Sequence, residues 1–222
     1  MPRKARYYAT SVLAAGCLLL ASALTGWTCA STVRFIACLL LALAGATFKI
    51  RVPGIAGTIS PSFVPILLAA GIMSWPETVL IALAAGVVQC IWRAKRKPTL
   101  LQAGFNGAAV GISIGVAYAV SRSVAGSSAV VLFIAAALVF HLVNTVTVAA
   151  VLCLLEEAPL RRVWGSCHMW SFVYHLAGGA VAYTWSIADP RNGVTACVVA
   201  VITLYLMSAF LGEVASRAPR TA

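Results

Sequence analysis

The chain has 222 residues, of which 62% are hydrophobic and only 9% charged, against roughly 25% charged in ordinary soluble domains. A surface so poor in charge cannot stay in water and a chain so apolar does not stay disordered, so a soluble globular enzyme and an intrinsically disordered segment are both excluded. Sixteen Lys and Arg against five Asp and Glu give a formal net charge of +11; in a membrane protein the positions of those charges carry more information than their sum, and a nucleic-acid partner is not expected.

At about 20 residues per helical span, the chain has room for spans and short loops but not for a folded extramembrane domain. The expectation is therefore one integral membrane domain over residues 1–222, all-α, a polytopic transmembrane helical bundle with no soluble domain. Uncharged apolar runs place eight candidate spans: Tyr8 to Trp27, Val33 to Phe48, Ser62 to Trp75, Thr78 to Trp92, Leu101 to Val120, Val130 to Leu154, Trp170 to Ile187 and Val194 to Val214. The first follows MPRKAR, which also fits a signal peptide with Ala21-Ser22-Ala23 as a cleavage site, or a lipobox at Cys17. The apolar run continues past those points to Trp27, so an uncleaved span is the expected form. The third and fourth spans are short and meet at Trp75-Pro76-Glu77, as in a tight or partly re-entrant helical hairpin. Between the second and third lies KIRVPGIAGTISP, Lys49 to Pro61, too rich in proline and glycine for a regular helix.

Loop charges test this count separately, because cytoplasmic loops hold the excess of Lys and Arg. With the N-terminus inside, eight spans put thirteen of the sixteen basic residues on the cytoplasmic side and leave only Arg34, Arg122 and Arg191 outside. The expected topology is N-in and C-in, in the bacterial inner membrane. The run RAKRKP, Arg93 to Pro98, is expected to lie against anionic headgroups.

Inside the spans the polar inventory is neutral. No Asp, Glu, Lys or Arg falls deep in a span, which argues against an ion-coupled pump. What remains is Gln89, Gln102, Asn106, Ser113, His141, Asn144, Thr145, Tyr174 and His175. His141, Asn144 and Thr145 follow i, i+3, i+4 spacing and share a helix face. Gln102, Asn106 and Ser113 share another, beside the G-x-x-x-G-x-x-x-G run of Gly107, Gly111 and Gly115 that lets helices pack closely. The structural reading makes these polar groups interhelical cross-links; the functional one makes Asn106, His141, Asn144, His175 and Gln89 the lining of one ligand site. Two histidines without a carboxylate or thiolate at ligand spacing give no metal site, and no cofactor motif is present. His168, beside Cys167, is read as an exposed residue of a basic loop. The seven cysteines hold no C-x-x-C pair and read as small packing residues. Ser113 and His141 are the one nucleophile–base pair, with no acid to orient the imidazole, so no enzyme is expected.

Read as a unit, the stretch from VPGIAGTISPSF through FNGAAVGISIGVAY and FHLVNTVTVAAVLCLLEEAPLRRVW to W-x-x-x-Y-H-L-A-G-G resembles the multi-span membrane domain that precedes HD-GYP phosphodiesterase and GGDEF cyclase domains in bacteria. The resemblance covers about residues 49–187 and includes Ser60 to Phe63, Phe105-Asn106, Asn144 and Val163-Trp164. It implies a non-catalytic sensory input module. No output module follows in this sequence, so signalling through a cytoplasmic or membrane partner is expected. A weaker similarity is to the substrate-binding components of energy-coupling-factor transporters, small multi-span proteins without their own ATPase, with LALAGA at Leu41 to Ala46 as the partner-facing stripe. That alternative implies a small-solute uptake subunit working with a transporter module.

Overall fold

A computed structural model describes residues 1–49, 60–94, 96–126 and 128–187, excepting the side chains of Arg162 and residues 165–170. Among these residues the fold is all-α, with seven helices and no strand: α1 Arg3–Thr25, α2 Thr32–Thr47, α3 Phe63–Ile72, α4 Trp75–Ile91, α5 Leu100–Ala125, α6 Ala129–Glu156 and α7 Leu160–Ile187. Three of them, α1, α5 and α6, are long and apolar enough to cross a membrane by length and composition. The expected eighth span, Val194 to Val214, the Arg191 loop and most of the Lys49 to Pro61 loop fall outside the described residues.

Each helix begins where the sequence offers a start signal. Thr99 and Gln102 form a capping box on α5, and Ser74 and Glu77 form one on α4, which also has Pro76 in its first turn. Gln102, read from the sequence as part of a polar face, therefore acts as a cap. Two boundaries depart from expectation. Helix α1 starts at Arg3 rather than Tyr8, and α7 starts at Leu160 rather than Trp170. The basic stretch holding Arg161, Cys167 and His168 is thus helical and not a loop: Pro159 ends one segment, and nothing between Leu160 and Trp170 breaks a helix.

Helix α3 is the odd element. Its ten residues rise about 15 Å, half of a bilayer's hydrocarbon thickness of about 30 Å, so it does not cross by itself. It is also buried on every side over residues 63–70, with Ile66 and Leu67 at 0% exposure. Around it α2, α4, α5, α6 and α7 contribute Ala42, Ile81, Ile114, Phe133, Phe140 and Tyr174 to one core. Long apolar side chains such as Leu18, Val33 and Leu40 point outward instead, as lipid-facing residues do.

Lipid chains are as apolar as leucine, so helices in a bilayer are held by close packing and polar contacts. Small residues supply the close approach. A Cβ on Gly16 would run into Ala108, one on Gly45 would meet the Ser62 backbone at 2.9 Å, and one on Gly86 the Asn106 carbonyl at 2.8 Å. The ladder of Gly107, Gly111 and Gly115 faces Leu83 and Val87 of α4 and Leu19 of α1, with the tightest approaches at Gly107 and Gly111.

Polar contacts pin the two ends. At one end Ser74 Oγ donates to the Thr28 carbonyl at 2.9 Å, joining the α3–α4 turn to the α1–α2 loop. Arg122 in the last turn of α5 donates to the Ala70, Gly71 and Met73 carbonyls at 3.1, 3.4 and 3.4 Å, capping α3, with its guanidinium 4.5 Å from the Tyr118 ring centroid. Tyr118 Oη donates to the Met73 carbonyl as well. Glu77, 2% exposed, accepts from the Ser74 backbone N–H and hydroxyl. Burial pushes its carboxyl up, but those bonds and one from Cys29 outweigh burial and hold it below the usual carboxylate range. At the other end Tyr8 Oη donates to the Thr147 carbonyl. Helices therefore alternate in direction, and Arg3, Lys4, Arg6, Lys49, Arg93, Arg96, Lys97 and Arg161 gather at the end opposite Arg34 and Arg122.

Candidate functional site

Gly178 and Gly179 let α7 sink into the bundle. A Cβ on Gly178 would run into the Phe63 ring, and one on Gly179 would fall 2.9 Å from Ala137 Cβ. One turn earlier on α7 this approach brings His175 against His141 of α6, 34 positions away in sequence, with Nδ1 to Nδ1 at 3.3 Å. The two imidazoles are 7% and 2% exposed.

A hydrogen bond assigns the His175 proton. His175 Nδ1 also bonds the Ser171 carbonyl; a carbonyl only accepts, so His175 carries its proton on Nδ1. His141 Nδ1 faces His175 Nδ1 across the α6–α7 contact. The pair is enclosed by aromatic rings. Phe63 and Phe140 lie 4.7 and 5.6 Å from His175, Tyr174 lies 5.9 Å from it edge-on, and Phe172 lies 5.6 Å from His141. One turn along α6, Thr145 Oγ1 donates to the His141 carbonyl and accepts from Trp164 Nε1, a second clasp between α6 and α7.

Two donors in this region are buried with no hydrogen-bond partner among the described residues: Tyr174 Oη and Trp185 Nε1. Tyr174 is 5% exposed, and its ring packs 4.7 Å from that of Phe63, the first residue of α3. An unmet buried hydroxyl costs about 1–3 kcal/mol, a cost that an acceptor placed beside it would remove.

The five residues read from the sequence as one lining do not come together. His141 and His175 meet. Asn144 is half-buried on the turn of α6 that follows His141. Asn106 donates to the Gln102 carbonyl at 2.8 Å and to Cys90 Sγ at 3.5 Å, on the α4–α5 seam, and Gln89 lies in α4. Ser113, the residue paired on paper with His141 as a nucleophile, donates to the Ala109 carbonyl of its own helix at 2.6 Å. Phe63, Phe140 and the Gly178-Gly179 step appear in the sequence only within the stretches that carry the family resemblance, with no part in a site. The adjacent Tyr174-His175 followed by two glycines is the signal that could have found them. Among the described residues no group of three or more His, Cys, Asp or Glu could hold a metal ion, and the five described cysteines are unpaired.

The MASE9 family model, a family of membrane-associated sensory domains, matches residues 6–184. No curated protein and no solved structure matches the chain.

Proposed function

The chain belongs to the MASE9 family of membrane-associated sensory domains, and from that premise we propose that it is a non-catalytic, ligand-binding input module that passes its state to a partner protein. The family match across residues 6–184 carries this reading. It agrees with a bundle that gathers the uncharged buried side chains Ser60, Ser62 and Ser171, with His141 and His175, at the junction of α3, α6 and α7, where a bound molecule would bear on three helices at once. The partner class that fits is a cyclic-dinucleotide cyclase or phosphodiesterase. We place the chain in the bacterial inner membrane with eight crossings and both ends inside, because the basic residues cluster at one end of the helices and that end is the cytoplasmic one by the positive-inside bias.

Co-purification from membranes tests the proposal. Recovery of a cyclic-dinucleotide enzyme or a kinase is the expected result. Recovery of an ATPase with a coupling membrane subunit would overturn it in favour of solute uptake. Reporter fusions after Lys97 and after Ala222 that report opposite sides would overturn the eight-crossing topology.

A further inference from the structure

Helix α1 and the turn between α4 and α5 bring two groups of basic residues to one level of the bundle. Leu13 packs where a Cβ on Gly104 would sit, and Ala108 packs where one on Gly16 would, so α1 runs beside α5 in the same direction. That register sets Arg3, Lys4 and Arg6 at the approach to α5, where Arg96 and Lys97 precede the Thr99 cap. Helix α4 comes back along α5, with Gly86 against Gly107 and Cys90 bonded to Asn106, and ends at Ile91 just short of Arg93. All six basic residues are exposed.

The company these charges keep is that of a bilayer surface. Tyr7, Trp92 and Leu100 are exposed at the same level, and aromatic side chains of this kind sit at headgroup depth. The described carboxylates stand elsewhere. Glu77 belongs to the opposite end, and Glu156 and Glu157 close α6 about 13 Å beyond Thr147, whereas Arg3 lies only about 8 Å beyond Tyr8, the residue bonded to Thr147. An acidic protein arriving from water would meet those two glutamates first; a headgroup at the bilayer surface does not. The backbone adds a second observation. Arg93 follows the C-cap of α4 with φ 43°, the left-handed position that glycine usually fills. Strain of that kind persists where the side chain has a use, and here the side chain is a cation on the rim.

We propose that this rim binds a phospholipid carrying two phosphates, one held by Arg3, Lys4 and Arg6 and the other by Arg93, Arg96 and Lys97. Capture of the first phosphate presents the second to its own basic group at high effective concentration. The headgroup contact expected of the run from Arg93 to Pro98 thus becomes half of a site, and the bound lipid ties α1 to the α4–α5 turn. The sensory reading is not needed for it.

Native mass spectrometry of the full-length protein, stripped of lipid in detergent, tests the site with cardiolipin, phosphatidylglycerol and phosphatidylcholine as probes. Cardiolipin should bind about tenfold or more tighter than phosphatidylglycerol, with phosphatidylcholine weakest. Arg93→Gly should weaken cardiolipin binding about fivefold, the worth of one basic residue at an anionic surface. The same variant should unfold at the wild-type temperature or above, because glycine suits that backbone, so a folding defect cannot mimic the loss. Arg3→Gln/Lys4→Gln/Arg6→Gln should bring cardiolipin down to the affinity of phosphatidylglycerol. Equal binding of cardiolipin and phosphatidylcholine, or full cardiolipin binding by Arg93→Gly, overturns the site. Equal binding of cardiolipin and phosphatidylglycerol by the wild type overturns the two-phosphate assignment, and displacement of cardiolipin by equimolar pyrophosphate overturns the lipid as ligand. If the variants keep cardiolipin but lose a co-purifying protein, the rim is a protein-docking face and the proposal falls.

Discussion

Replacing Gly86 with alanine would put a methyl carbon 2.8 Å from the Asn106 carbonyl oxygen, 2.9 Å from Gly107 Cα and 3.1 Å from Val110 Cγ2. Two of these three neighbours are backbone atoms of α5, which cannot rotate aside, so α4 and α5 must separate along their crossing. Overpacking of this kind costs about 1–3 kcal/mol, and the better helix propensity of alanine returns at most about 1 kcal/mol. The net expectation is a loss of about 1–2 kcal/mol. Gly115 provides the control on α5 itself, because a Cβ there has Leu19 Cδ1 as its nearest neighbour at 3.5 Å, an ordinary van der Waals contact. Gly115→Ala should therefore be neutral or stabilising by up to about 1 kcal/mol. Thermal unfolding of the two purified variants in one detergent measures the difference. If Gly86→Ala is as stable as wild type, or if Gly115→Ala is the weaker of the two, the close-approach account of this seam is wrong.

Three further outcomes follow from the polar contacts. In a double-mutant cycle of His141→Ala and His175→Ala, unfolding should show a coupling of about 0.6–1.7 kcal/mol, the range for interhelical hydrogen bonds in membranes; zero coupling would mean that the imidazoles do not interact. Arg122→Met keeps the apolar stem but removes the donors to the α3 carbonyls, and chemical denaturation should show a loss of about 1–3 kcal/mol, with Tyr118→Phe losing less. Glu77 is held below its ordinary value in the folded protein, so it adds stability above the ordinary carboxylate range that is lost as pH falls through its lower folded value. Glu77→Gln should lower stability near neutrality and flatten the acid limb of a stability–pH curve; an acid limb as steep as that of wild type would refute this role.

Seven of the eight expected spans overlap helices, three of them long and apolar enough to cross a membrane, because each is an apolar run bounded by charge, proline or a cap, and those signals are local. The start of α7 was missed for the same reason. Arg161 and the polar residues after it look like a loop to a hydropathy reading, yet they contain no helix breaker. The histidine pair was half legible. His141 and His175 stand out as polar groups in apolar runs, but which helix faces which depends on where Gly178 and Gly179 allow close approach, and two glycines in a membrane helix do not announce a partner. Asn106 groups with the histidines in the sequence only as another neutral polar residue inside an apolar run, whereas the structure gives its amide to the preceding turn and to Cys90. Tyr174 was visible as polar; that its hydroxyl would be left unmet depends on Phe63, more than a hundred residues earlier.

The burial of α3 on all sides also bears on how the protein is made. A ten-residue segment is too short to be released into lipid as a span, and the hydroxyls of Ser60 and Ser62 at its start would meet hydrocarbon if it arrived before its neighbours. Assembly must therefore have an order, with the long helices inserted first and α3 captured between them afterwards. Substitutions that loosen its surroundings, at Gly45, Gly71 or Gly178, should act first on the yield of correctly assembled protein in the membrane, before any effect on what the finished molecule senses.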